Sequence, residues 1–199
     1  MIVQPSKTVI RDVSNSLKNL LSSKIAGLEE GNISFQSPAD FTPPGAKSLS
    51  QFLFQVKVNP HGRNSLPAPA GLDDGGSSLS ELRNPPVPVD LIYMLTPYGP
   101  DPIAEMELFE SIITLLNDNS VLRDDLLDGT LAEQGNEEIR ITPFDFGAEH
   151  LNNIWSIFPN KAYKVSLFYC LSPVMLMSEK VISEKRVTSR KMDLYKLEQ

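Results

Sequence analysis

Hydrophobic and polar positions alternate along this chain in two rhythms, and the switches between them mark out its elements. Over residues 8–26, Ile10, Val13, Leu17, Leu20 and Leu21 recur at helical spacing, with Arg11, Ser14, Asn15 and Lys18 on the other face. Ser6 or Thr8 is placed to cap this helix, and Gly27 to stop it. Residues 33–35 read as a short edge strand before a proline-rich run at 42–45. From 49 to 58 the period drops to two: Phe52, Phe54, Val56 and Val58 point one way, Leu53, Gln55 and Lys57 the other. Residues 87–96 repeat that period with Val87, Val89, Leu91, Tyr93 and Leu95. Because Ile92 and Met94 make the second face apolar too, this strand is expected at the centre of a sheet.

Asp101 followed by Pro102 is an N-cap with proline at the first helical position. The helix it opens is expected to run to about 119 and to bury Ile103, Met106, Phe109, Ile112, Ile113 and Leu116. Residues 120–137 read as an acidic loop with a short helical piece, and 138–142 as a strand with Ile139 and Ile141 inward. A short helix over 148–158 carries Leu151, Ile154, Trp155 and Phe158. The last strong strand spans 161–172, where Tyr163, Val165, Leu167, Tyr169 and Leu171 alternate with Lys164, Ser166, Phe168 and Cys170. This order predicts an α+β fold: a mixed or antiparallel sheet of about four strands with two to three helices packed on one face.

Two segments break both rhythms. Residues 59–86 interleave prolines with glycine, aspartate and serine, a loop that interrupts the domain without dividing it. From 179 to 199 the chain is polar and locally basic, either an added hairpin or an arm extending away. The expected organisation is a domain over 1–178 and a basic carboxy-terminal arm over 179–199.

Composition narrows the function. Hydrophobic content of 41% suits one domain with a real core. A net charge of −7 argues against a nucleic-acid binder, since phosphate affinity comes from clustered Lys and Arg. One cysteine, Cys170, permits no internal disulfide and fits a reducing compartment. Residues 1–7 lack the apolar core of a signal peptide, and no apolar stretch is long enough to span a bilayer. Synthesis in the cytoplasm is expected.

Catalytic patterns find no anchor. The two histidines are His61, in a loop, and His150, whose surroundings lack the second histidine of a zinc-binding HExxH motif. Cys170 sits mid-strand among large apolar residues, the setting of an inert thiol. There is no phosphate-binding glycine loop and no calcium-loop spacing, so neither cofactor nor metal nor small-molecule substrate is expected.

Several blocks taken in order carry a resemblance. They are VIRDVSNSLKNLL at 9–21, ISFQSP at 33–38, LSQFLFQVKVNP at 49–60 with Arg63 and Asn64 after it, PVPVDLIYMLTPY at 86–98, IWSIF at 154–158, YKVSLFY at 163–169 and SPV at 172–174. This set, over roughly 8–178, resembles the amino-terminal domain of the cap, or tube-terminator, protein of extracellular contractile injection systems of antifeeding-prophage type. The resemblance implies a tail-terminator-like fold and a hexameric ring that closes the tube and sheath of a phage-tail-like particle. Its implied partners are copies of itself and the tube and sheath subunits, and it supplies no catalytic residues. An assembly chaperone or adaptor, and a small hydrolase, are the alternative readings. Contacts with neighbours are expected from Lys185, Arg186, Arg190 and Lys191 in the arm, and from Val174 and Leu176 through strand addition over 174–182.

Overall fold

A computed structural model describes residues 7–60, 68–69, 79–156, 158 and 162–185 of the 199-residue chain. Helix α1 is Val9–Lys24, α2 Pro102–Asp118 and α3 Ala148–Ser156. The strands are β1 Ile33–Ser34, β2 Ser48–Val58, β3 Ala68–Pro69, β4 Leu79–Arg83, β5 Val87–Tyr98, β6 Val121–Arg123, β7 Glu138–Pro143, β8 Leu167–Leu176 and β9 Val181–Lys185. One sheet has the order β1-β2-β5-β8-β7-β6, and a second, three-stranded sheet the order β3-β4-β9. Only β1 and β2 run parallel in the larger sheet, so it is mixed, one of the two arrangements the patterning left open.

The doubly apolar strand lies inside the sheet, between β2 and β8. Its two faces divide the core. Val89, Leu91, Tyr93 and Leu95 join Val13, Leu17 and Leu21 of α1 and Leu108, Ile112 and Leu116 of α2 in the main cluster. Ile92 and Met94 meet Ile154 and Trp155 of α3 and Phe168 of β8 in a second, aromatic-rich cluster. Thus α1 and α2 share one face as expected, but α3 covers the other. The cause is β5 itself: with both faces apolar, a helix on one side only would leave Ile92 and Met94 in water.

β1 is the short edge strand expected at 33–35, and β6 is a further strand, only three residues long and too short for a period-two signal to emerge. β6 falls in the segment read as a loop and pairs with β7, placing Leu122 opposite Ile139 in the core. Within 59–86, β3 and β4 form, and β9 pairs with β4 along Leu79–Arg83. Residues 181–185 of the expected arm thus form a strand on β4, a pairing between segments distant in sequence and not a hairpin.

The pattern in β2 holds only in part. A register shift between Leu53 and Gln55 frees Phe54 from the ladder. Phe52 and Phe54 pack with the aromatic cluster, but Val56 and Val58 lie opposite Leu91 and Val89 and are exposed. One extra residue in a strand reverses every later side chain, so an unbroken alternation in sequence is broken in space. Tyr163 and Val165, expected in the last strand, precede β8 and are exposed.

Helix ends follow local chemistry. Asp101 Oδ1 accepts from the N–H groups of Ile103 and Ala104, both at 2.9 Å, ahead of Pro102. Asp101→Ala should lower stability by about 1 kcal/mol in urea unfolding, the usual cost of an exposed cap. At α1, Thr8 holds the cap position but its hydroxyl donates to Asp12 Oδ2 at 2.7 Å. Asp12 is buried, with the Arg11 guanidinium on its other oxygen at 2.8 Å. A Cβ on Gly129, which sits at φ +62, would meet Asp12 Oδ2 at 2.9 Å. Only glycine lets that loop close over the helix.

A polar network ties α1 to the sheet. Gln51 Nε2 donates to the Ser14 carbonyl at 2.8 Å, and Ser14 Oγ lies 2.7 Å from the Tyr93 hydroxyl. Ser14, read as part of the solvent face, is buried. Asn136 clamps the end of β8, accepting from Met175 N at 2.7 Å and donating to its carbonyl at 3.1 Å.

Candidate assembly surface

The exposed chemistry of α2 is apolar and acidic. On α2, Ala104, Leu108, Ile112 and Leu116 are buried, while Ile103 is 70% and Met106 69% exposed, with Ile113 at 47%. The expected buried set was Ile103, Met106, Phe109, Ile112, Ile113 and Leu116; Ile103, Met106 and Ile113 must be removed from it. The helix carries two apolar stripes. Periodicity alone cannot say which faces the sheet, because both have helical spacing.

Beside the outer stripe, an open groove between α2 and the end of α1 is lined by Ala26, Lys47, Glu107, Glu110, Thr114 and Asp118. Lys47 Nζ reaches Glu107 Oε2 at 3.4 Å, while Glu110 and Asp118 make no ion pair among the described residues. No basic residue lies on α2 at all.

The amino end of α2 is held firmly. Glu105 Oε1 accepts from Lys164 Nζ at 2.6 Å and from the Gly99 amide at 3.2 Å. The same ammonium lies 4.4 Å from the centre of the Tyr98 ring. Burial and, secondarily, the Glu105 carboxylate raise the Tyr98 phenol above its usual pKa. A Cβ on Gly99 would approach the Glu105 amide to 2.8 Å, so the strand-to-helix turn needs glycine there. The outer stripe is thus presented by a fixed helix.

Of the residues expected to contact neighbours, Val174 is buried opposite Val89, and Leu176 is half-buried opposite Val87. Both already belong to β8, so neither is free to join a foreign sheet without leaving its own. Lys185 ends β9 opposite Leu79. Arg186, Arg190 and Lys191 lie outside the described residues. The stripe on α2 was missed as a surface. The one signal for it was the excess of apolar positions on α2 over what one buried face can hold.

As for reactive groups, Cys170 is half-buried opposite Ile92 and Thr142. Burial first, then the Asp90 carboxylate, pushes its thiol up, against a smaller lowering by Lys57. A thiol held protonated is a poor nucleophile. His150 is exposed on α3, and His61 lies outside the described residues. Among the described residues no three His, Cys, Asp or Glu side chains are grouped to hold a metal ion, and no helix is long and apolar enough to cross a membrane.

This architecture, a curled six-stranded sheet with three helices, is similar to that of solved tube-terminator structures. The chain superposes on the sheath/tube terminator, in its extended state, of the extracellular contractile injection system PVC, with a TM-score of 0.67 and 16% identity. That match covers 98% of this chain and 66% of the other. It also matches the tube-terminating cap of the anti-feeding prophage, with a TM-score of 0.62 and 18% identity over 92% of this chain and 61% of that one. The chain thus spans about two thirds of the length of these structures. No curated protein sequence gives a significant match. The sequence profile described as Pvc16 N-terminal domain matches residues 12–190, and the chain belongs to that family.

Proposed function

We propose that this chain is a structural subunit of the cap that closes the tube and sheath of a contractile injection particle, forming a hexameric ring of identical copies. The observation that carries the reading is the fold shared with two tube terminators over nearly the whole chain, together with the family match. A fixed body presenting an exposed apolar helix face is also what a ring subunit requires, since a head-to-tail ring needs two complementary patches on each copy. The partners on this reading are copies of the chain and the tube and sheath subunits. Lys185, Arg186, Arg190 and Lys191 are the contacts proposed in the arm. The role is mechanical: no substrate, cofactor or catalytic step is assigned, and the ring is assembled in the cytoplasm within a particle released later.

Deleting the gene in the producing strain should leave tubes of uncontrolled length by electron microscopy, and mass spectrometry of purified wild-type particles should find the protein at ring stoichiometry. Normal tube lengths in the deletion strain would remove the terminator role. Absence from finished particles would point instead to an assembly chaperone.

A further inference from the structure

The outer face of α2 needs a partner of particular character. Taking 100° per residue, Met106 and Ile113 fall within about 20° of one another, with Ile103 and Glu110 adjacent and Glu107 and Asp118 next around the helix. An apolar stripe therefore runs beside an acidic one on a single surface. Such a face is matched by a segment that mixes apolar residues with basic ones, because burying the stripe alone would leave the carboxylates desolvated without counter-charge.

The chain itself contains that segment. Residues 186–199 carry Arg186, Arg190, Lys191 and Lys196 against Asp193 and Glu198, in a protein whose net charge is −7. Interleaved with these are Val187, Met192, Leu194, Tyr195 and Leu197. We propose that residues 186–199 of one copy dock on the outer face of α2 of a second copy. The apolar side chains would cover Ile103, Met106 and Ile113, and the basic ones would meet Glu110 and Asp118. The inference rests on the self-assembling reading above and adds where two copies meet.

The topology favours a second copy over the same one. β9 pairs with β4 of the three-stranded sheet, the Asn84 amide, three residues before Val87, donates to the Lys180 carbonyl at 3.2 Å, and β9 then runs to Lys185. α2 begins past Tyr98, at the opposite end of β5. That twelve-residue strand spans about 36 Å. Ile103 and Met106, at the amino end of α2, thus start from the end of β5 opposite to the basic segment, the arrangement a head-to-tail contact uses.

The test uses the full chain with p-benzoylphenylalanine in place of Met106, an equal mixture of ¹⁴N- and ¹⁵N-labelled protein, and mass spectrometry of the cross-links. The expected product joins position 106 of one isotope to residues 186–199 of the other. Its yield should fall about tenfold in Glu110→Lys/Asp118→Lys, and return when Arg190→Glu/Lys191→Glu is added to that variant. Glu110 and Asp118 are exposed, and an unchanged circular dichroism melt of each variant confirms the fold. Cross-links confined to one isotope, cross-links to another segment, or none overturn the proposal. Native mass spectrometry of the same sample separates the two readings. A hexamer without this cross-link keeps the ring and removes the docking, whereas the cross-link in a species that never closes keeps the docking and removes the ring.

Discussion

Ile112→Asp will unfold this chain, and Met106→Asp, two turns away on the same helix, will leave its stability nearly unchanged. Ile112 is fully buried between α2 and the sheet, within the main cluster. A carboxylate there has no described cation to meet and must either desolvate or protonate, a cost of about 4 kcal/mol or more once the lost packing is included. That approaches the whole stability of a marginal domain, about 5 kcal/mol. Met106 is 69% exposed, so the same change should cost under about 0.5 kcal/mol. Urea unfolding followed by circular dichroism measures both. Equal losses would mean that α2 is rotated from the orientation described. The comparison also separates folding from assembly: Met106→Asp should keep the monomer folded while weakening contacts between copies.

The second large effect lies at Tyr93, whose ring is fully buried on β5. Tyr93→Ala should cost about 4 kcal/mol, the range for emptying an aromatic-sized site. Tyr93→Phe should cost only about 1 kcal/mol, because Ser14 Oγ still donates to the Ile10 carbonyl at 2.8 Å and loses one acceptor role. The phenol also links stability to pH. Burial raises its pKa from 10.0 to about 12, and the Ser14 hydrogen bond lowers it by a smaller amount. The folded state therefore holds this proton over a range where the unfolded chain has released it. Stability from this group is complete below pH 10 and is lost as pH rises toward 12, by about 3 kcal/mol in all. Relative to wild type, Tyr93→Phe should show a flatter decline over that window in urea midpoints. Parallel profiles for the two proteins would show that the phenol ionises in the folded state as easily as in water.

Much of the architecture could be read from patterning. The central strand declared itself because Ile92 and Met94 break the polar side of its alternation. α2 declared its start through Asp101 and Pro102. What escaped was of three kinds. β6 is too short to carry a period, and it exists because its neighbouring strand offers it a ladder. Buried polar residues such as Ser14 and Asp12 look like surface until their partners, Tyr93 and Arg11 with Thr8, are brought beside them. The surface on α2 escaped for a third reason. A helix with apolar residues on two stripes states that two things will be covered, but not which one is covered by its own chain.

The sequence by itself determined that this is an α+β domain around a doubly apolar strand, and its ordered blocks pointed to the family that the profile match then established. Tertiary structure alone decided the side of each element. It placed α3 opposite α1 and α2, and turned Val56 and Val58 outward after the register shift at Phe54. It also exposed Ile103, Met106 and Ile113 where burial was expected. Hydrophobic spacing is a property of one segment and fixes which residues share a face. Which face is inside depends on the elements packed against it, and those are brought together only when the whole chain folds.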